Sequence, residues 1–399
     1  VQVSRLTKYQ GLGHEYLVRI IYFSILLSTT AFFLAENGRA NAFPTYLLAI
    51  GVLAYLVIKR PANASGLPGN VPLAGALVLI LYLSVTTLWS DNRNITSLIT
   101  YFGYGAIVGS FVIGMLLCYR RFPNFIPMLA LAIFIAGTLS AGLSVFLFYE
   151  FPEYRFMPGS RMIALGRLSN PVIAADSYGF AIVLGLYILL QQVGIWRRLL
   201  IAMAITLLLY ATVLTGSRAV WLAIAFAASV GVASRDMSYK YLAFGLVLVV
   251  FGAMALLVLD IDELTRRALS FRPEIWSEYT RRTITGNLWF GAGSSSDSSW
   301  PTSAYTFDHP HSIFVSVLYF GGVAGLVLIV SLYMRCLFEL GRLPFSNLRS
   351  LALMSIVFGI ILGMFDGDNP LTKIDFHWWM VWLPITFCIC AVDGLEQQK

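Results

Sequence analysis

Charge is scarce in this chain. Asp, Glu, Lys and Arg make up 12% of its 399 residues, against 58% hydrophobic. A soluble domain carries about twice that charged fraction, so an ordinary water-soluble enzyme is excluded. Cysteine is scarce as well. The four present (Cys118, Cys336, Cys388, Cys390) lie in or beside apolar runs, and none clusters with histidine in the sequence. A disulfide framework and a cysteine-built zinc site are therefore not expected. A cleavable leader is also not expected. The first apolar run, near residues 17–35, is too long for a signal-peptide core and lacks a small-residue cleavage pattern, so it reads as a retained span.

What is present is hydrophobic length. Mean hydropathy is +0.77. Runs of about 17 to 25 apolar residues recur, enough to cross about 30 Å of hydrocarbon as a helix. They lie near 17–35, 42–58, 71–89, 98–118, 125–149, 171–191, 199–215, 218–233, 241–259, 311–334, 349–365 and 377–394. The expected fold class is an all-α polytopic membrane protein of about twelve transmembrane helices. It forms one transmembrane domain over residues 1–399, with a long loop at 260–310 inside it. The seventh and eighth spans meet at Thr215-Gly216-Ser217-Arg218. If that junction is one continuous helix, the count drops to eleven.

Basic residues orient the chain. Lys59-Arg60, Arg120-Arg121, Arg197-Arg198, Arg235 with Lys240, and Arg335 with Arg342 and Arg349 fall in alternate loops. The positive-inside rule then places both termini in the cytoplasm and puts residues 150–170 and 260–310 on the outer face, the periplasm in a bacterium. The net charge of +7 is explained by topology, and no nucleic-acid partner is expected. A second set of arginines is left over on the outer side: Arg155, Arg161, Arg167, Arg218, Arg266, Arg267, Arg272, Arg281 and Arg282. Singly, each reads as tolerated surface charge beside acids such as Glu274 and Glu278. As a group, they come from three outer segments that contain no lysine, a bias that suits bidentate recognition of phosphate or carboxylate.

The long loop has internal organisation. Ile261, Leu264, Ala268, Phe271, Ile275 and Ile284 recur at helical spacing with Trp276 and Tyr279 adjacent, which predicts an amphipathic helix near the membrane surface. Pro273 breaks it and places Arg272 at a bend or a second helix start. The run SSSDSSWPTS after Gly293 reads as a flexible connector. The bland account of the whole stretch is an interfacial helix plus that connector.

Two residues stand out for chemistry. His311 opens the tenth span above Gly321, Gly322 and Gly325, a strip that permits close helix approach. A lone histidine there is more often an interfacial anchor. At the end of an arginine-rich outer loop, a neutral imidazole can instead accept a proton from a sugar hydroxyl. His309 is the weaker member of the pair, and His14 and His377 read as interface or terminus residues. Arg218 lies between two apolar runs near membrane depth, where arginine is costly and marks a functional site unless it snorkels. Asp176, inside the sixth span, is its candidate ion-pair partner or a wall of a polar cavity.

Together these features resemble the O-antigen ligase family, which includes protein O-oligosaccharyltransferases. The resemblance rests on Arg272-x-x-x-Trp276, Phe290-Gly291-x-Gly293, His311-Ser312 and the glycine-rich helix after it. It extends to Gly216-Ser217-Arg218 and to Gly166-Arg167-Leu168-Ser169-Asn170-Pro171, so it covers roughly residues 160–330. Each motif alone is weak, and their order and topology carry the specificity. The His-Asn pair common in the family is His-Ser here, and a serine can still cap the helix. The resemblance implies a GT-C-like glycosyltransferase architecture in a Gram-negative inner membrane. It also implies a metal-independent, inverting transfer at the periplasmic face, with no cofactor. The donor would be an undecaprenyl-diphosphate-linked O-antigen, and the acceptor a sugar hydroxyl of lipid A–core oligosaccharide. Arg218 and Arg272 would hold the diphosphate and His311 would activate the hydroxyl. Arg161, Arg167, Arg266, Arg267, Arg281 and Arg282 are the secondary candidates for the anion.

The residues reach part of this independently. Preorganised arginines stabilise a departing diphosphate without a metal, and acids of the long loop such as Asp297 and Asp308 stand isolated, so no metal site is expected. The runner-up readings are a protein O-oligosaccharyltransferase or an O-antigen polymerase with the same donor. Extra C-terminal sequence would suit the protein-glycosylating reading, and the close approach of the last span to Lys399 leans toward the ligase. A lipid-linked saccharide flippase is the alternative of another class. It would place polar groups near midplane in repeated halves, and the charges here crowd one face.

Overall fold

The computed structural model describes residues 2–36, 38–59, 70–156, 161–191, 194–234, 271–302 and 306–396. Twelve helices are found there: α1 (Gln2–Leu34), α2 (Gly38–Lys59), α3 (Val71–Thr86), α4 (Ile95–Arg121), α5 (Phe125–Glu150), α6 (Pro171–Leu189), α7 (Ile195–Thr215), α8 (Arg218–Ala233), α9 (Arg272–Thr285), α10 (Ile313–Arg342), α11 (Asn347–Phe365) and α12 (Leu383–Glu396). The only strands among the described residues are two small hairpins, Arg155–Phe156 with Arg161–Met162 and Trp300–Pro301 with Thr306–Phe307. Among the described residues, nine helical segments are long and apolar enough to cross a membrane, and Ala42–Ile58 and Arg218–Ala233 are shorter apolar helices. The expected span at 241–259 lies outside the described residues, as do Arg266 and Arg267.

Helix ends follow local chemistry. Asn94 and Ser97 form a capping box at the start of α4, each side chain bonded to the other's backbone N–H. Asn70 caps α3 through Leu73 N–H and also donates to the Ile389 carbonyl at 3.0 Å. Asn170 caps α6, with Pro171 at its first position. The junction at residues 215–218 is a true break: Gly216 is left-handed (φ 67°) and Ser217 extended, so α7 stops and α8 starts afresh at Arg218. Arg155 bonds the Phe148 and Tyr149 carbonyls at the end of α5, which accounts for one outer arginine.

The interior is built around the last helix. Trp378, Trp379 and Trp382 have no exposure. Trp379 meets Phe32, Phe33 and Phe180, and Trp378 meets Phe111. Outward faces are apolar too, as Phe23 and Leu27 on α1 and Leu200 and Met203 on α7 show. That two-sided apolarity is what lipid as a solvent requires. At the end of the bundle away from the long loop, Arg120 grips the buried Asp393 carboxylate through both oxygens and ties α4 to α12.

Candidate active site

The long loop is seated on α10 by its own backbone. At Gly322 the helix kinks (φ 64°, ψ −166°), a conformation open essentially to glycine alone. The kink frees backbone groups, and residues 288–293 bond to them. Ala292 N–H donates to Tyr319 O and Gly293 N–H to Phe320 O, both at 2.8 Å. In return Val323 N–H donates to Leu288 O at 2.9 Å and Ala324 N–H to Trp289 O at 3.1 Å. A Cβ on Gly322 would lie 2.4 Å from the Trp289 carbonyl. The glycine strip therefore admits a loop, where close approach of another helix was expected at Gly322; Gly321 and Gly325 do lie against Tyr82 of α3.

The serine run is also more ordered than its composition predicts. Ser294 bonds Thr86 and the Leu83 carbonyl, Ser295 N–H donates to Ser90, and Asp91 N–H donates to Ser296. Small hydroxyl residues that look unstructured in sequence serve here as mutual partners with the end of α3.

Helix α9 starts at Arg272, with Phe271 left-handed before it (φ 59°) and Pro273 in its first turn. Its buried face is Ile275, Tyr279 and Thr283, packed on Tyr319 and Phe320 of α10. Phe271 and Ile284, expected on the apolar face, are exposed. The periodicity counted from Ile261 does not carry through the break at Phe271. Trp276 donates to the Pro310 carbonyl at 3.1 Å and so fixes the backbone one residue before His311.

His311 lies outside the helix. It is left-handed (φ 52°), and α10 starts two residues later. Ser312 occupies the cap position, but its hydroxyl donates to the Gly363 carbonyl at 3.2 Å, so the expected capping bond is not made. Ile313 N–H donates to the Asp366 carbonyl at 3.2 Å. These bonds lash the start of α10 to the end of α11 and bring His311 Nδ1 to 3.5 Å from the Asp366 carboxylate, which is 5% exposed. Burial alone would raise the Asp366 carboxyl, but the His311 side chain, the adjacent Asp176 carboxyl and the Gly367 N–H outweigh it and hold it at about 2.

More groups converge behind this pair. Arg272 donates through Nε to the Phe365 carbonyl at 2.9 Å, one residue before Asp366. Asp176, fully buried in α6, lies close enough to Asp366 and Arg272 to feel their charges, and its carboxyl oxygens have no hydrogen-bond partner among the described residues. No ion pair joins it to Arg218 among the described residues. The His309 and His311 rings are 4.0 Å apart. Burial, then the neighbouring His311, lowers the His309 imidazole below its ordinary value and favours the neutral ring. His377, expected at an interface, is interior at 3% exposure and accepts from Asp368 N–H at 2.8 Å.

The other arginines divide. Arg218, half-buried at the first position of α8, makes no ion pair among the described residues. Gly179 of α6 packs directly on Val220. The two helices run the same way, so Arg218, about 3 Å above Val220 along the axis, stands near the depth of Asp176. Arg161 donates to the Thr215 carbonyl beside Gly216 and lines an open cleft with Asn170 and Val172 at the start of α6. Arg167 is held structurally: it bonds the Ile374 carbonyl, lies 4.0 Å from Asp375 and stacks over Phe32. Arg281 and Arg282 share Glu278, and Arg282 also bonds the Ser299 carbonyl. Those two guanidiniums hold Glu278 ionised, at about 2.

The structure thus gathers His311, Arg272, Asp366, Asp176 and His309 in one place, with Arg218 and Arg161 at nearby helix ends. Asp366 is not among the candidates drawn from the sequence, although an acid directly after a long apolar run is a recognisable signal.

Residues 202–330 match a family model described as O-Antigen ligase. A protein named O-antigen ligase from Pseudomonas aeruginosa is 28% identical over 364 residues, spanning 90% of this chain and 87% of that protein. The segment matched by the family model contains Arg218, Arg272 and His311, whereas Asp176 and Asp366 lie outside it.

Proposed function

We propose, on the match of residues 202–330 to the O-antigen ligase family and the likeness to the Pseudomonas aeruginosa protein, that this chain transfers O-antigen glycan from undecaprenyl diphosphate to a sugar hydroxyl of lipid A–core oligosaccharide. The reaction is a metal-independent, inverting glycosyl transfer by a GT-C-like helical bundle. It takes place at the periplasmic face of a Gram-negative inner membrane, with both termini in the cytoplasm. The observation that carries this reading is the approach of His311 Nδ1 to the buried Asp366 carboxylate. That contact favours the imidazole tautomer protonated on Nδ1, which leaves Nε2 free to act as a base.

The acceptor hydroxyl attacks the anomeric carbon opposite the diphosphate. The new C–O bond forms as the bond to the phosphate oxygen breaks, and that oxygen keeps the electron pair. The hydroxyl proton passes to His311 Nε2. Asp366 stabilises the resulting imidazolium, the role a carboxylate plays behind a catalytic histidine. Arg272 uses Nε on Phe365 and keeps its terminal amino groups for the anion. Arg218, unpaired at a helix N-terminus, adds a second fork where charge develops.

The test is transfer in vitro. Purified protein mixed with lipid-diphosphate glycan, lipid A–core and chelator is expected to give ligated product. No product, or strict dependence on added metal, sinks the reading. Arg218→Ala is expected to lower kcat about 100-fold. Arg281→Ala is expected to stay within about threefold, because its 63%-exposed guanidinium is already on Glu278. The opposite ranking would remove Arg218 from its role.

A further inference from the structure

We infer that His309, His311 and Asp366 form a binding site for a borderline divalent transition metal such as Zn²⁺, and that its occupancy switches the base off. One ligand atom from each residue lies within 4.8 Å of the other two. In a tetrahedral zinc site with bonds of about 2.0–2.1 Å, ligand atoms stand about 3.4 Å apart. The His311 Nδ1 to Asp366 distance is already 3.5 Å. Small side-chain rotations close the remaining gap, and a water completes the fourth position.

The frame is built before any metal arrives. The left-handed turn at His311 sets its ring beside that of His309 two residues earlier. Trp276 holds the Pro310 carbonyl between them, and Ile313 N–H holds the Asp366 backbone. The adjacent Asp176 carboxyl oxygens, buried without a hydrogen-bond partner, offer an acceptor for the bound water. Two imidazoles and a carboxylate favour Zn²⁺, Co²⁺ or Ni²⁺ over Mg²⁺ or Ca²⁺, which demand all-oxygen sites.

The switch follows from tautomer chemistry, and this part rests on the ligase reading. In the metal-free site His311 keeps its proton on Nδ1, toward Asp366. A metal on Nδ1 displaces that proton to Nε2, so the lone pair that would accept the hydroxyl proton is gone. The metal also draws Asp366 away from its part in stabilising the imidazolium.

Cobalt is the probe. Co²⁺ added to the purified, detergent-solubilised chain is expected to bind at one ion per chain with the visible bands of a tetrahedral site, and Zn²⁺ is expected to bleach them. His309→Ala and the milder His309→Gln should each weaken binding at least tenfold. Zn²⁺ should lower transfer by the parent protein at least tenfold, reversibly with chelator, whereas each variant, scaled to its own metal-free rate, should resist it. No bound Co²⁺, or equal binding by both variants, overturns the site. Bound Co²⁺ at this site with transfer accelerated by Zn²⁺ overturns the switch, and the metal-free mechanism with it. Loss of transfer activity without metal in the parent protein, with Co²⁺ binding intact, counts against the ligase reading and leaves the site standing.

Discussion

Asp366→Asn is expected to lower kcat for glycan transfer by about 10³-fold with little change in donor KM. The substitution keeps the shape of the side chain and leaves the backbone carbonyl that receives Ile313 N–H untouched. It removes the charge that opposes the imidazolium. It also lets the amide turn its NH₂ toward His311 Nδ1, which would stabilise the wrong tautomer. In serine proteases the equivalent change costs about 10⁴-fold for that reason. The expected value here is smaller because the contact is longer, at 3.5 Å. Loss in kcat alone marks an interaction that strengthens in the transition state. A kcat within threefold of the parent, in a protein that melts normally, would remove Asp366 from the mechanism.

Gly322→Ala is expected to destabilise the folded protein by about 4 kcal/mol, beyond what ordinary surface changes cause. Two effects add. The backbone sits at φ 64°, ψ −166°, a region that costs other residues about 1–3 kcal/mol. The added methyl would also meet the Trp289 carbonyl at 2.4 Å and the Gly291 nitrogen at 2.5 Å, both backbone atoms that cannot rotate away. Gly341→Ala, on the same helix with nothing near its Cβ, is the control. It should be neutral or stabilising by up to about 1 kcal/mol. Thermal unfolding in detergent measures both, and equal melting temperatures would show that the kink is not needed for stability.

Much of the helical framework was legible in the sequence, because the length of an apolar run maps directly onto bilayer thickness. The break at Gly216 was legible too, since small residues beside Arg218 interrupt two apolar runs. Other features depend on partners that periodicity does not see. Whether a glycine strip receives a helix or a loop depends on what carries the matching backbone donors, and Leu288–Gly293 look ordinary in isolation. Ser294 and Ser295 are turn formers by composition and become ordered because Thr86 and Ser90 supply matching hydroxyls. The candidate base was legible from its place at the end of an arginine-rich loop. Its companion Asp366 was not, because the pairing is created by α10 crossing the end of α11. Arg281 and Arg282 resembled anion ligands by residue type, and only the structure shows Glu278 between them.

The kink in α10 has a mechanical consequence. A broken helix normally works as a hinge, because its unpaired peptide groups let the two halves flex. At Gly322 the neighbouring groups are tied to residues 288–293 by four backbone bonds, so the joint is welded. Flexing of this region must therefore turn about another point, and Phe271, left-handed at the head of α9, is one such point, where a turn would carry Arg272 with it.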